Sequence, residues 1–170
     1  MTHWHVTNAD ILDMAAEGLI CSANPNLNLS GGVGGAFLLR YGSEMQDYLH
    51  RYLKENNLRY IEPGHSVVTP SCNSSYTAIA HAVAINAFYE TNPNLILRTY
   101  RTSLSQLAQL GCRSIVASCL GCGYGRCSPS EFATAIEHLI VESMEGVETV
   151  TFVTTNQELA EKIASVIRIK

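Results

Sequence analysis

Two glycine clusters carry the residues of this chain best suited to chemistry. Ser30-Gly31-Gly32-Val33-Gly34-Gly35 follows a short apolar run at 19–22 and an Asn/Pro-rich turn, and opens an amphipathic segment. Leu120-Gly121-Cys122-Gly123-Tyr124-Gly125 follows the run SIVAS at 114–118 and precedes the helix-start signal Ser128-Pro129-Ser130-Glu131. In a strand–loop–helix unit the loop lies at the carboxyl edge of the strand, where open α/β sheets bind ligands. Glycine there leaves bare main chain for a close approach. The helix that follows offers unpaired N–H groups and a positive dipole end to an anion. Two such loops at one sheet edge could grip a diphosphate from both sides. Neither is a P-loop, since no Gly-Lys-Ser/Thr follows. Neither is a dinucleotide fingerprint, because Gly32-Val33-Gly34 would need glycine or alanine at position 37, which is Phe37.

Other reactive side chains admit two readings each. Asp10 precedes Ile11 where a helix would start, which suits an N-cap. Asn24 precedes Pro25, which suits an Asx-turn. Cys119-x2-Cys122-x4-Cys127 has a partly zinc-like spacing that Cys112 or His81 would complete. Against it, Cys119 would alternate into the sheet, so no metal and no cofactor are expected. Cys122 close to helix N-termini could instead be a redox-active thiol. His81, within the apolar run YTAIAHAVAI, reads as a hydrogen-bonded core histidine; His65 is the other candidate base.

The elements that must position these groups follow from periodicity. Residues 3–7 alternate and suit an opening edge strand, and 19–22, 66–69, 76–85, 114–118 and 147–154 are the further strand candidates. Phe37, Leu38, Tyr41, Met45, Tyr48, Leu49, Tyr52 and Leu53 form the stripe of a long helix with a break near Gly42. Asn92-Pro93 opens a helix that Gly111 ends. Ser128–Glu131 is a capping box with proline at the first helical position. Thr155–Glu158 reads as a second box, opening a last helix in which Glu158 and Lys162 pair at i,i+4. Apolar strands alternating with helical stripes predict a three-layer α/β/α fold with a mixed, largely parallel central sheet.

Composition is consistent with that reading. The chain has 170 residues, 46% hydrophobic and only 15% charged, which suits a sheet buried on both faces within one domain spanning 1–170. Its net charge of −4 argues against direct binding to a nucleic-acid backbone. The start MTHWHVTNAD has no basic opening followed by an apolar core, and no run approaches the roughly 20 apolar residues of a membrane span. A cytoplasmic protein with six reduced cysteines and no membrane partner is expected.

Taken in order, Asp10-Ile11, the ICSAN of residues 20–24, the SGGVGGAF of residues 30–37, Glu62-Pro63-Gly64, the IAHAV of residues 79–83, the ASCLGCGYG of residues 117–125 and the final VTFVTT resemble a macro domain over nearly the whole chain. The resemblance implies a ligand: ADP-ribose, free or attached to a macromolecule. Asp10 matches the acid that accepts from the adenine amino group, and Ile11 a neighbouring main-chain contact. Asn24 matches the asparagine at the distal ribose. Gly32, Val33, Gly34 and Gly35 match the first phosphate loop. Gly121, Cys122, Gly123, Tyr124 and Gly125 match the second, with Tyr124 the ring over the distal ribose. The alternative activity is hydrolysis, removing ADP-ribose from a protein, nucleic acid or O-acetyl ester, with Asn24 orienting a water or the substrate's own diphosphate assisting. Three departures bear on it. Cys21 replaces the first asparagine of the family's tetrapeptide, and Gly34 stands where the ester-hydrolysing branch commonly has aspartate. The lysines, Lys54, Lys162 and Lys170, match no lysine-nucleophile loop. Thr155 or Asn156 occupies the place of the adenine-stacking aromatic, leaving Phe152 as a candidate ring.

Overall fold

Residues that alternate or run apolar in the sequence become six strands in the computed structural model, which describes residues 1–169. They are β1 (His3–Asn8), β2 (Gly18–Ser22), β3 (Ser66–Pro70), β4 (Ala78–Ala82), β5 (Ser114–Ser118) and β6 (Thr149–Thr154). The sheet order is β1-β6-β5-β2-β4-β3. Every neighbouring pair is parallel except β3 with β4, so the mixed, largely parallel sheet expected from the alternation is present. The carboxyl ends of the five parallel strands therefore share one edge.

Helices cover both faces. α1 (Gly32–Tyr41) and α2 (Glu44–Glu55) lie on one, and α3 (Pro93–Gln109), α4 (Pro129–Leu139) and α5 (Gln157–Ile169) on the other. The single stripe from Phe37 to Leu53 is cut in two where Gly42, at φ +86°, donates its N–H to Leu38 O and closes α1. Lys170 lies outside the described residues.

Pleating sorts the strand side chains between two cores. Ala78, Ala80 and Ala82 of β4 face α3, and their small size lets the helix approach closely. Next to them Trp4, Tyr100, Phe132 and Phe152 form an aromatic cluster with ring centroids 5.5–6.1 Å apart. Phe152 is fully buried there, so it is not a ring available to a ligand. Facing α1 and α2, Cys21, Ile79 and Val67 fill the opposite core.

Caps follow local chemistry with one correction. Asn92 accepts from Leu95 N at 2.9 Å and Ser128 forms the full box with Glu131. At α5 the predicted Thr155–Glu158 box is not formed. Thr154 is still strand, and Asn156 caps the helix instead, accepting from Leu159 N at 3.0 Å, in keeping with the stronger capping preference of asparagine. The expected Glu158–Lys162 pairing gives way to Gln157 Nε2 donating to Glu161 Oε1 at 2.7 Å.

His81 is buried on the α1/α2 side of β4, opposite Cys21 and Val67. Its Nε2 meets Thr69 Oγ1 at 3.1 Å, while Nδ1 has no partner, so it is only half satisfied. Burial pulls its pKa from 6.5 down to about 3, and the ring is neutral. An unfolded chain takes up a proton below pH 6.5 that the folded one refuses, so stability falls as pH drops from about 6.5 towards 3. Between pH 7 and 5 this residue should cost about 2 kcal/mol. Urea unfolding at both pH values should show that loss in the wild type and a largely flat response in His81→Gln; equal losses in the two would refute it.

Candidate functional site

The carboxyl edge of the parallel strands opens into a cleft of about 720 Å³. Its floor is made by Ser22 and Ser118, the last residues of β2 and β5, with hydroxyls 2.9 Å apart. Ser118 Oγ donates to Ile20 O at 3.0 Å and accepts from Ser22 N at 3.0 Å. Its one proton is thus committed, Ser22 must donate to it, and Ser22 turns its lone pairs to the cleft. Sequence reasoning passed over both serines, because a serine ending a strand carries no signal of its own.

At one end of the cleft, Ala9 N donates to Thr154 O at 3.1 Å and brings Asp10 beside Thr155 and Asn156. Asp10 Oδ1 caps the short 3₁₀ turn Ile11–Asp13 by accepting from Leu12 N at 2.9 Å. Its Oδ2 lies 3.6 Å from Arg40, a loose and exposed pairing that leaves this oxygen available. Ile11 buries its side chain, and its carbonyl accepts from the buried Tyr76 hydroxyl at 2.9 Å. That hydroxyl also reaches Met14 O at 3.1 Å, and burial raises its pKa to about 12, so it remains a donor.

The first glycine loop is held from behind. Gln46 of α2 accepts from Leu29 N at 2.6 Å and donates to Leu27 O at 2.9 Å, acting as a surrogate strand. Gly31, at φ +70° and ψ 174°, caps α1 without any side chain, so the N–H groups of Gly32, Val33 and Gly34 start the helix uncapped at the cleft. Gly35 departs from the expected loop. It sits further along α1, donates its N–H to Gly31 O at 2.9 Å and does not line the cleft; Gly31, left out of the expected ligand set, does.

The second loop is tied to α3. The buried Tyr100 hydroxyl donates to Ser118 O at 2.6 Å and accepts from Leu120 N at 3.1 Å. From there Cys127 N reaches Gly121 O at 2.9 Å, folding the loop back on itself. Only glycine fits at 125, where a Cβ would stand 2.6 Å from Gly121 O and 2.8 Å from Ile85. Gly121, Cys122, Gly123, Tyr124 and Gly125 all line the cleft.

Asn24 also lines the cleft, and its amide is half engaged, with one N–H and one lone pair left over. Oδ1 accepts from Asn28 N at 3.1 Å and Nδ2 donates to Asn28 O at 2.7 Å, an extended form of the Asx-type clip its sequence context suggests. Tyr124 reaches over the cleft so that its hydroxyl lies 2.3 Å from where a Cβ on Gly31 would be, and its ring is 6.0 Å from that of Tyr89. Tyr89 was not anticipated; it follows Phe88 in a loop with no glycine and no periodicity.

Among the described residues no lysine or arginine lines the cleft and no three His, Cys, Asp or Glu side chains gather as a metal site. The zinc reading fails for that reason: Cys112 precedes β5 at the opposite edge, and His81 faces the other core. The thiol reading shifts as well. Cys122 sits beside the Cys127 thiol and is largely desolvated, and both effects push its pKa up, so it stays protonated. Cys21 is buried away from the cleft, and burial pushes its pKa to about 12. An anion here would be held by main-chain N–H groups and neutral side-chain donors, with no cationic side chain among the described lining residues.

Gly31 should therefore be intolerant of any side chain. Its backbone lies in a region open essentially to glycine alone, where other residues cost about 1–3 kcal/mol. Thermal unfolding of Gly31→Ala, Tyr124→Ala and the double variant should separate that strain from the clash. The double variant should be more stable than the sum of the single losses predicts, and strict additivity would show that the two loops do not touch.

A family model described as "Macro domain" matches residues 20–136. A macro domain-containing protein of Streptomyces griseus is 27% identical over 150 residues, covering 87% of this chain and 85% of that one. A Citrobacter rodentium protein named O-acetyl-ADP-ribose deacetylase is 27% identical over 159 residues, covering 91% and 89%. Among solved structures, a mutant Oceanobacillus iheyensis macrodomain with ADP-ribose superposes with a TM-score of 0.86 at 19% identity, covering 96% of this chain and 91% of that one. The Trypanosoma brucei macrodomain in complex with ADP-ribose gives 0.77 at 17% identity, covering 97% and 69%. With its two glycine loops facing each other at the carboxyl edge of this sheet, the chain belongs to the Macro domain family.

Proposed function

We propose that the cleft binds ADP-ribose, free or carried by a modified macromolecule, with Asp10 at the adenine end and Asn24 at the distal ribose. One observation carries the reading: the uncapped N–H groups that open α1 face, across the cleft, the Gly121, Gly123, Tyr124 and Gly125 N–H groups of the second loop, which have no partner among the described residues, and Asp10 is the one carboxylate among the described residues that line this cleft. In this reading Gly32, Val33 and Gly34 cradle one side of the diphosphate, and Gly121, Cys122, Gly123 and Gly125 the other. Asp10 Oδ2 accepts from the adenine amino group while Oδ1 keeps its cap, and Ile11 contributes the first, unpaired N–H of its turn. Tyr124 covers the distal ribose. Adenine rests on Thr155 and Asn156 without an aromatic partner. The same reading places the protein in the cytoplasm. All six cysteines are free, and among the described residues no helix is long and apolar enough to cross a membrane.

Calorimetry should show saturable binding of ADP-ribose below millimolar concentration. Asp10→Asn preserves the cap but sets a donor against the adenine amino group; it should weaken binding about tenfold, the loss of one charge-assisted hydrogen bond. No heat at near-millimolar ligand would end the proposal.

The deacetylase name of relatives at 27% identity favours a second reading, in which water adds to an acyl carbon and acetate leaves ADP-ribose. This chain is poorly furnished for it. Gly34 offers no carboxylate, and the Asn24 amide is clipped to Asn28. With O-acetyl-ADP-ribose the expected outcome is binding with no acetate release above the buffer control. Release that Asn24→Ala abolishes would put the second reading first.

A further inference from the structure

The second glycine loop carries thiols that a phosphate cradle does not need. Cys119, Cys122 and Cys127 all pack against the core that α3 and α4 cover. Cys119 donates its thiol to Val153 O at 3.8 Å, on the β6 side. Cys122 instead lines the cleft and sits beside the thiol of Cys127, which is buried one residue before the Ser128 cap of α4. The binding reading uses the main chain of Cys122 and nothing of Cys127, so both sulfurs are left without a role.

Main-chain geometry puts this pair within the reach of a disulfide. Cys127 N donates to Gly121 O at 2.9 Å, and Gly121 O belongs to the peptide that leads into Cys122. Standard bond lengths and angles then hold the two Cα atoms no more than about 7 Å apart. Disulfides span Cα separations of about 4.4–6.8 Å.

Joining the two sulfurs would move the ligand side of the loop. Gly125 is pressed against Gly121, where a Cβ would stand 2.6 Å from Gly121 O. Gly121 is backed in turn by Thr91 and Ile96, which lie 3.0 and 3.3 Å from where its own Cβ would be. Cys127 is held between the core and a helix cap. Gly123 has open space, with nothing within 4 Å of its Cβ position. Bonded sulfurs sit far closer than thiols in contact, so the segment from Cys122 to Tyr124 has to take up the shift. That segment carries the free N–H groups of Gly123 and Tyr124 and the ring that lies over Gly31.

We propose that Cys122 and Cys127 are a modification site for low-molecular-weight disulfides, which convert the pair into an intramolecular disulfide and loosen the loop's hold on the nucleotide. The Cys122 sulfur, having lost its proton to solvent, attacks one sulfur of the small disulfide, whose S–S bond breaks to release one small thiol. Cys127 then gives up its proton and displaces the second small thiol from Cys122. The two cysteines lose two electrons, the small disulfide gains them, and both protons end on the departing thiols. Because the Cys122 thiol is protonated at rest, the first exchange is slow, and the site records sustained oxidation rather than a brief pulse. The chemistry stands by itself; its effect on affinity rests on the ADP-ribose reading above.

The test is to incubate the whole protein with glutathione disulfide, block the remaining thiols and digest with trypsin without reductant. Cleavage after Arg113, the exposed Arg126 and Lys162 separates Cys119 and Cys122, in peptide 114–126, from Cys127, in peptide 127–162. The two peptides should emerge joined, with fragmentation placing the bond on Cys122. Cys127→Ala should stop at the mixed disulfide, with glutathione retained on Cys122, and Cys127→Ser should repeat that trap. Unfolding curves confirm that each variant is folded. Calorimetry should show the intramolecular disulfide form binding ADP-ribose about tenfold more weakly than the reduced protein, with dithiothreitol restoring the affinity. Reduced Cys127→Ala should bind within about twofold of reduced wild type. No joined peptides from the folded protein, or a bond at Cys119, overturns the site. Joined peptides with unchanged affinity overturn its effect on the ligand. No heat with ADP-ribose from the reduced protein overturns the binding reading, while the peptide map still decides the disulfide.

Discussion

One buried hydroxyl fixes the geometry of the site. Tyr100 rises from the middle of α3 through the aromatic cluster and ends between Ser118 O and Leu120 N, the last carbonyl of β5 and an early N–H of the second glycine loop. Burial drives its pKa far above the ordinary value, so the phenol stays neutral and serves as donor and acceptor together. A parallel strand that stops at a loop leaves main-chain groups without ladder partners, and in an apolar core each such group carries a desolvation penalty of about 1–3 kcal/mol. Tyr100 satisfies two of them with one side chain. It thereby transmits the rigidity of the α3 packing to the position of Gly121–Gly125.

The first loop solves the same problem with different parts. Gln46 takes the place of a neighbouring strand for Leu27 and Leu29, so the N-terminus of α1 is aimed by α2 behind it. The two halves of the clamp are thus braced from opposite layers of the sandwich, by α3 on one face of the sheet and α2 on the other. Their tips touch where Tyr124 lies over Gly31.

Much of this was legible in the sequence because strand and helix periods, glycine clusters and proline-led caps are local signals. β5 and the Ser128 box of α4 are read correctly from a handful of residues each. The placement of Gly35 was not, since a helix that begins inside a glycine run has no residue to mark its first turn. Tyr100 and Gln46 look like ordinary members of helical stripes, and nothing local distinguishes a stripe residue that packs from one that also holds a loop. Asn24 shows the reverse limit. Motif position assigned it to a ligand, and nothing local shows that its amide also clips the loop to Asn28. The capping error at α5 arose because Thr155 and Asn156 are adjacent capable caps, and only the end of β6 decides between them.

The lack of a lysine or arginine among the described residues that line the cleft has a kinetic consequence. A chain with net charge −4 repels an approaching anion at long range, and the attraction of helix ends and turn N–H groups acts only within about a turn of helix. Salt screens the first effect far more than the second. Capture of an anionic ligand should then quicken, not slow, as ionic strength rises, the opposite of what a lysine- or arginine-lined site would do.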